Sequence, residues 1–118
     1  MLVLCSALLA PAESDGTWLQ KVPGKERLKA NPYHERPEAI AAGQRLFADH
    51  CASCHGKSAE GSKKRPSLRS ERVQKQATEG DLHWLLVNGN RWKGMPSWSK
   101  LPDQQLWQLT AFVKSLHD

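Results

Sequence analysis

At 118 residues the chain has room for one domain and excludes two. A hydrophobic content of 39% and a mean hydropathy of −0.62 fit a soluble protein with a modest core, small enough to gain from a staple or a cofactor. The formal charge of +5 is a local feature: residues 13–56 carry six basic and six acidic side chains and residues 76–118 four of each, so the excess lies in 57–75.

Residues 1–12 read as a signal peptide. Met1 to Ala10 is apolar, and Ala10-Pro11-Ala12 satisfies the small-x-small cleavage rule, which places the mature start at Glu13. The run is too short to span a bilayer. No Lys or Arg precedes it, a departure from the usual basic n-region, and an uncleaved anchor is the alternative. Leu4 stands where a lipoprotein needs a small residue before its modified cysteine, so Cys5 is read as part of the leader. Cleavage leaves Cys51 and Cys54, with no disulfide expected despite the exported setting.

Residues 13–36 hold Pro23, Gly24 and Pro32 among charges of both signs, without a sustained helical period. An irregular strap over the core, or a tail, is expected, anchored at Trp18 and Tyr33. A helix is predicted from Pro37, which suits the first helical position, with Glu38 in its first turn. Ile40, Gly43, Phe47, His50 or Cys51, and Cys54 then recur at three- and four-residue steps. Gly43 is a poor helix-interior residue unless something must approach closely.

That stripe runs into Cys51-Ala52-Ser53-Cys54-His55, a complete C-x-x-C-H. The spacing is the attachment signal for a c-type haem: two thiols on one face of a helical turn reach the vinyl groups of one porphyrin, and the imidazole that follows becomes an axial iron ligand. Given three Cys and five His in the chain, the motif is expected by chance only about 0.003 times. A thioredoxin-type redox pair wants a βαβ pattern, and a zinc site wants a second Cys/His pair at finger spacing; neither is present. Cys51 and Cys54 are therefore assigned to covalent haem c and His55 to its iron.

Gly56 to Ser70 reads as a basic loop, and residues 67–76 as a short helix. In 57–75, Lys57, Lys63, Lys64, Arg65, Arg69, Arg72 and Lys75 face only Glu60 and Glu71. Thr78-x-x-Asp81 resembles a capping box opening a helix with Leu82, Leu85 and Leu86 on one face, stopped at Asn88-Gly89-Asn90 with Gly89 in the left-handed position. An aromatic-rich loop, Arg91 to Trp98, follows. The last helix is predicted from Pro102 or Asp103 to about Leu116, with Leu106, Leu109, Phe112 or Val113, and Leu116 as its stripe. The fold class is all-α, with helices wrapped around a cofactor.

His55 alone would leave the iron open. Met95 is the expected second ligand, because Gly94 lets the backbone come near the ring and Pro96 keeps Met95 out of helix. The competing readings are Met95 as core filler and His83 as the ligand, although His83 falls within an amphipathic helix where a packed histidine is the default. His34, His50 and His117 have no supporting pattern. Trp84, Trp92, Trp98 and Trp107 are expected to serve as pocket walls and helix packing rather than as an electron path. Arg91, Lys93 and Trp98, near Met95 in the sequence, are candidates to neutralise or hydrogen-bond haem propionates.

Gly43-x-x-x-Phe47-x-x-x-Cys51-x-x-Cys54-His55, Pro66-x-Leu68, Gly94-Met95-Pro96 and Leu109-x-x-Phe112 together resemble the class I cytochrome c pattern, over residues 37–117. The resemblance implies a cytochrome c domain at 37–118 in which the first and last helices cross at Gly43 with Phe47, Leu109 and Phe112 around it. It also implies that the Pro66 carbonyl accepts the Nδ1 proton of His55 and so orients the ligand. The stretch Leu82-His83-Trp84 to Trp98 is similar to small bacterial monohaem cytochromes, some of which serve periplasmic dehydrogenases. Pro102 departs from the family's usual Ser or Thr cap.

His/Met ligation leaves no open site, and the soft thioether favours Fe(II), which implies a one-electron carrier in the periplasm and not an enzyme. The basic loop is expected to steer towards an acidic face on a redox partner, a dehydrogenase or oxidase, or simply to keep the protein soluble; nucleic acid is not the expected partner. With its leader cleaved the protein is not integral to the membrane. Two alternatives are a cytochrome subunit of a larger oxidoreductase, with 13–36 docking on a partner, and a ligand-binding haem protein with an open or labile distal site.

Overall fold

The computed structural model describes residues 17–61, 67–90 and 94–117. The leader, Lys63, Lys64, Arg65, Pro66, Arg91, Trp92 and Lys93 lie outside the described residues. Five α-helices are described: α1 (Gly24–Arg27), α2 (Pro37–His50), α3 (Ala52–His55), α4 (Glu79–Asn88) and α5 (Asp103–Lys114), with a 3-10 turn at Thr17–Lys21. Among the described residues there is no strand, only one isolated antiparallel bridge between Asn90 and Met95.

Helix α2 begins with Pro37 in its first turn, as predicted, and buries Ala39, Gly43 and Phe47. Those residues face α5, which buries Leu106, Leu109 and Phe112 and starts at Asp103 without a side-chain cap. The two helices cross at Gly43, where a Cβ would stand 2.1 Å from the Gln108 carbonyl oxygen and 2.8 Å from Phe112 Cβ. Only hydrogen fits there. One turn on, Phe47 packs on Phe112 with ring centroids 5.3 Å apart, in a cluster with Leu109, Leu116 and Ala59.

Helix α4 opens on the predicted capping box: Asp81 N donates to Thr78 Oγ1 at 3.0 Å and Thr78 N to Asp81 Oδ2 at 2.8 Å. It ends at Gly89, whose φ is positive as expected, but with an extended ψ (φ 73°, ψ −176°).

The segment before α2 lies on the core and carries more order than its sequence suggested. Thr78 Oγ1 donates to Arg27 O at 2.8 Å, Arg27 pairs with the buried Asp81 at 3.2 Å, and a Cβ on Gly80 would stand 2.0 Å from Glu26 O. Trp18 anchors it as expected, being buried with Val22 against Val73, Ala77 and Leu82. Tyr33 is only half-buried; the second anchor is Asn31, whose Nδ2 donates to Glu79 Oε1 at 2.8 Å and to Trp107 O at 2.9 Å.

The helix expected over 67–76 reduces to a π-helical turn, Arg72–Gln76. It is held onto α5 from outside its own backbone ladder. Lys114 Nζ donates to the carbonyls of Val73 (3.2 Å), Gln74 (2.8 Å) and Ala77 (2.7 Å), and Gln74 Nε2 donates to Leu68 O and Val113 O. Burial pulls the Lys114 pKa below the usual lysine value, opposed by the charges of Glu79 and Asp81.

Candidate haem-binding site

Between the two apolar clusters lies a cavity of about 630 Å³, within the size range of small-molecule and cofactor sites. Its apolar walls come from Phe47, Leu82, Leu85, Leu86, Leu109 and Val113, and Cys51, Cys54, His55 and Met95 all line it. Residues 40 positions apart in the chain thus meet around one space.

The cysteine end is built by the exit from α2. Cys51 caps that helix, its N–H donating to Phe47 O at 2.8 Å, and its own carbonyl accepts from Cys54 N (3.1 Å) and His55 N (3.0 Å). The chain therefore makes one tight turn, α3, which turns Cys51, Cys54 and His55 to the cavity before Gly56 ends it at φ 89°. The His55 ring lies 6.4 Å from that of Phe47. Burial pushes the Cys51 thiol up to about 11, with the charge of the neighbouring Cys54 adding to it. Such a wall takes neutral sulfur, a thioether included, far more readily than thiolate.

Met95 is held by backbone bonds on a loop stapled to the end of α4. Asn90 N donates to Met95 O at 2.9 Å and Met95 N to Asn90 O at 3.0 Å. Trp98 N donates to Leu86 O at 2.8 Å and Ser97 Oγ to Val87 O at 2.5 Å, which uses carbonyls the helix end leaves unpaired. Trp98 also lines the cavity and packs on the His50 ring, centroids 5.2 Å apart.

His83 stands elsewhere. It is buried, stacks on Trp107 at 4.0 Å and meets Asp103 Oδ1 through Nε2 at 2.7 Å, away from the cavity lining. Trp84 and Trp107 likewise pack without reaching the cavity, whereas Trp98 is a wall. Among the lining residues that reading by sequence missed are Trp18, Arg72 and Gln76. None sits on a helical stripe that would have marked it.

The basic stretch is less free than its composition implied. Arg69 Nε donates to Ser58 O at 2.6 Å and its guanidinium to Leu116 O, Arg72 lines the cavity, and Lys75 pairs with Glu71 at 3.7 Å. Lys57 is exposed.

A slot walled by aliphatic and aromatic side chains, with two sulfurs and an imidazole at one turn and a thioether on an anchored loop, fits a covalently held haem. Among the described residues no cluster of His, Cys, Asp and Glu would hold a bare metal ion instead.

The family model described as cytochrome c oxidase, cbb3-type, subunit III matches residues 38–113. The chain belongs to this cytochrome c family. Members carry haem c, with iron, bound covalently. The chain is similar to the cbb3-type cytochrome c oxidase subunit FixP of Rhizobium meliloti, 32% identical over 69% of this chain and 29% of that protein. It is similar also to subunit CcoP of Rhodobacter capsulatus, 28% identical over 96% of this chain and 39% of that one. The chain thus spans well under half the length of these relatives. Among solved structures it matches cytochrome CL of the marine methylotroph Methylophaga aminisulfidivorans, 33% identical with a TM-score of 0.61, over 71% of this chain and 57% of that one. This cytochrome c thus has the all-α fold expected of it. No helix among the described residues is long and apolar enough to cross a membrane.

Proposed function

We propose that this chain is a one-electron carrier whose single haem c is bonded to Cys51 and Cys54, with His55 and Met95 as axial iron ligands. The observation that carries the reading is that these four residues, with the imidazole of His55 and the thioether of Met95 far apart in sequence, line one apolar cavity. When bound, haem c supplies a one-electron Fe(III)/Fe(II) couple. The chain's own residues do the rest. Cys51 and Cys54 fix the ring's edge, and the backbone pairing of Asn90 with Met95 holds the thioether at a set depth. Phe47, Leu82, Leu109 and Val113 exclude water. The family resemblance assigns the Pro66 carbonyl, which lies outside the described residues, to accept the Nδ1 proton of His55 and so orient it. With both axial positions filled from the protein, no site is left for a substrate, which makes the chain a carrier and not an enzyme.

The domain plan that goes with this is a cleaved leader at 1–12, the strap at 13–36 and the haem domain at 37–118, working in the periplasm beside redox proteins that offer an acidic face. The resemblance to FixP and CcoP favours a second form of the reading, in which the chain serves as a cytochrome subunit of an oxidase complex. Expression with a periplasmic haem-attachment system tests the core of the proposal. The unmutated protein should keep its haem through denaturing electrophoresis, and the Cys51→Ala, Cys54→Ala double variant should lose it. Haem retained by the double variant would refute the attachment.

A further inference from the structure

We propose that Trp18 is a wall of the haem pocket that raises the reduction potential of the iron, which makes the N-terminal strap a working part of the redox centre. This rests on the reading of the cavity as a haem c site.

Trp18 is 8% exposed, packs with Val22, Val73 and Leu82, and lines the cavity. The family match starts at residue 38, so this wall comes from outside the matched domain. Its position is set by several independent ties. The strap is bonded to α4 through Arg27 and Thr78, to α5 through Asn31, and to the π-turn through an Arg27 bond to Gln76 O at 3.3 Å. Gln76 is itself a lining residue, so the strap and that side of the cavity are one assembly.

The indole presents a large apolar surface to the cavity. Oxidised iron carries one more positive charge than reduced iron, and water near the haem stabilises the more charged form. A wall that keeps water out therefore favours Fe(II). Shrinking Trp18 opens the pocket beside Val73 and Leu82 and lowers the potential. Val22 supplies the control: it is buried at 7% in the same cluster, on the same strap, but does not line the cavity.

The test is a redox titration of the matured holoprotein and of Trp18→Ala, Trp18→Phe and Val22→Ala, with denaturant midpoints measured alongside. At a fixed ambient potential near the midpoint, Trp18→Ala should lower the ratio of reduced to oxidised haem by about threefold or more, roughly 30 mV for a one-electron couple. Trp18→Phe should stay near the unmutated value, and Val22→Ala should lose stability without moving the potential. If Trp18→Ala does not accumulate, Trp18→Leu should show a smaller shift in the same direction. Equal shifts in Trp18→Ala and Val22→Ala, or none in either, with a normal covalent haem spectrum, would overturn the role of Trp18 alone. A chain that matures without covalent haem would overturn the underlying reading.

Discussion

Gly43 of α2 lies against the carbonyl of Gln108 in α5, so close that a Cβ would stand 2.1 Å from that oxygen. Backbone cannot yield as a flexible side chain can, so Gly43→Ala must push the two helices apart. The expected cost is about 3 kcal/mol or more, the upper range for overpacking. Thermal unfolding of the holoprotein measures it; a variant as stable as the parent would mean that the crossing is looser than described.

Asn31 ties the strap to two helices at once. Asn31→Ala leaves Trp107 O without that donor, takes the same amide from Glu79 and opens a small space at a site 6% exposed. A loss of about 2 kcal/mol is expected, with earlier proteolysis of the strap than of the rest. If protease sensitivity stays uniform, the strap does not depend on this bond.

Lys114 supplies three donors to carbonyls of the π-turn and the residue after it. Lys114→Met keeps the apolar stem but removes all three, and should destabilise the fold by about 1–3 kcal/mol. Lys114→Arg should recover part of the loss. Hydrogen exchange reads the site directly: faster exchange at the turn than in α2 is expected, and uniform acceleration would place the effect elsewhere.

Much of the site was legible in the sequence because its chemistry is local. C-x-x-C-H needs only one turn of chain, the Thr78–Asp81 box spans four residues, and Met95 stood out by its Gly and Pro neighbours. Gly43 was legible because glycine inside a helical stripe demands a close neighbour. What escaped was set by distance. Asn31 reaches residues 48 and 76 positions away, and no period in its own segment marks it. Trp18 was expected as an anchor, yet its place on the cavity depends on the strap being bonded to α4. The basic stretch showed its charge but not that Arg69 spends its donors on Ser58 and Leu116 carbonyls.

Charge reversal at Lys63, Lys64 and Arg65, which lie outside the described residues, tests the steering reading. Electron transfer with an acidic partner should slow about tenfold at low salt and converge on the parent rate as salt rises. An unchanged rate at low salt would leave the stretch as a solubility feature.

In the proposed carrier, His55 and Met95 close the iron on both sides. The visible spectrum of the matured protein tests it most directly, recorded oxidised and then reduced with and without CO, beside Met95→Ala and His83→Ala. The closed carrier predicts a weak far-red sulfur-to-iron band and no CO response in the parent and in His83→Ala, with loss of the band and ready CO binding in Met95→Ala. Ready CO binding to the parent, or a band that survives Met95→Ala, would contradict it and move an open-site haem protein to the front.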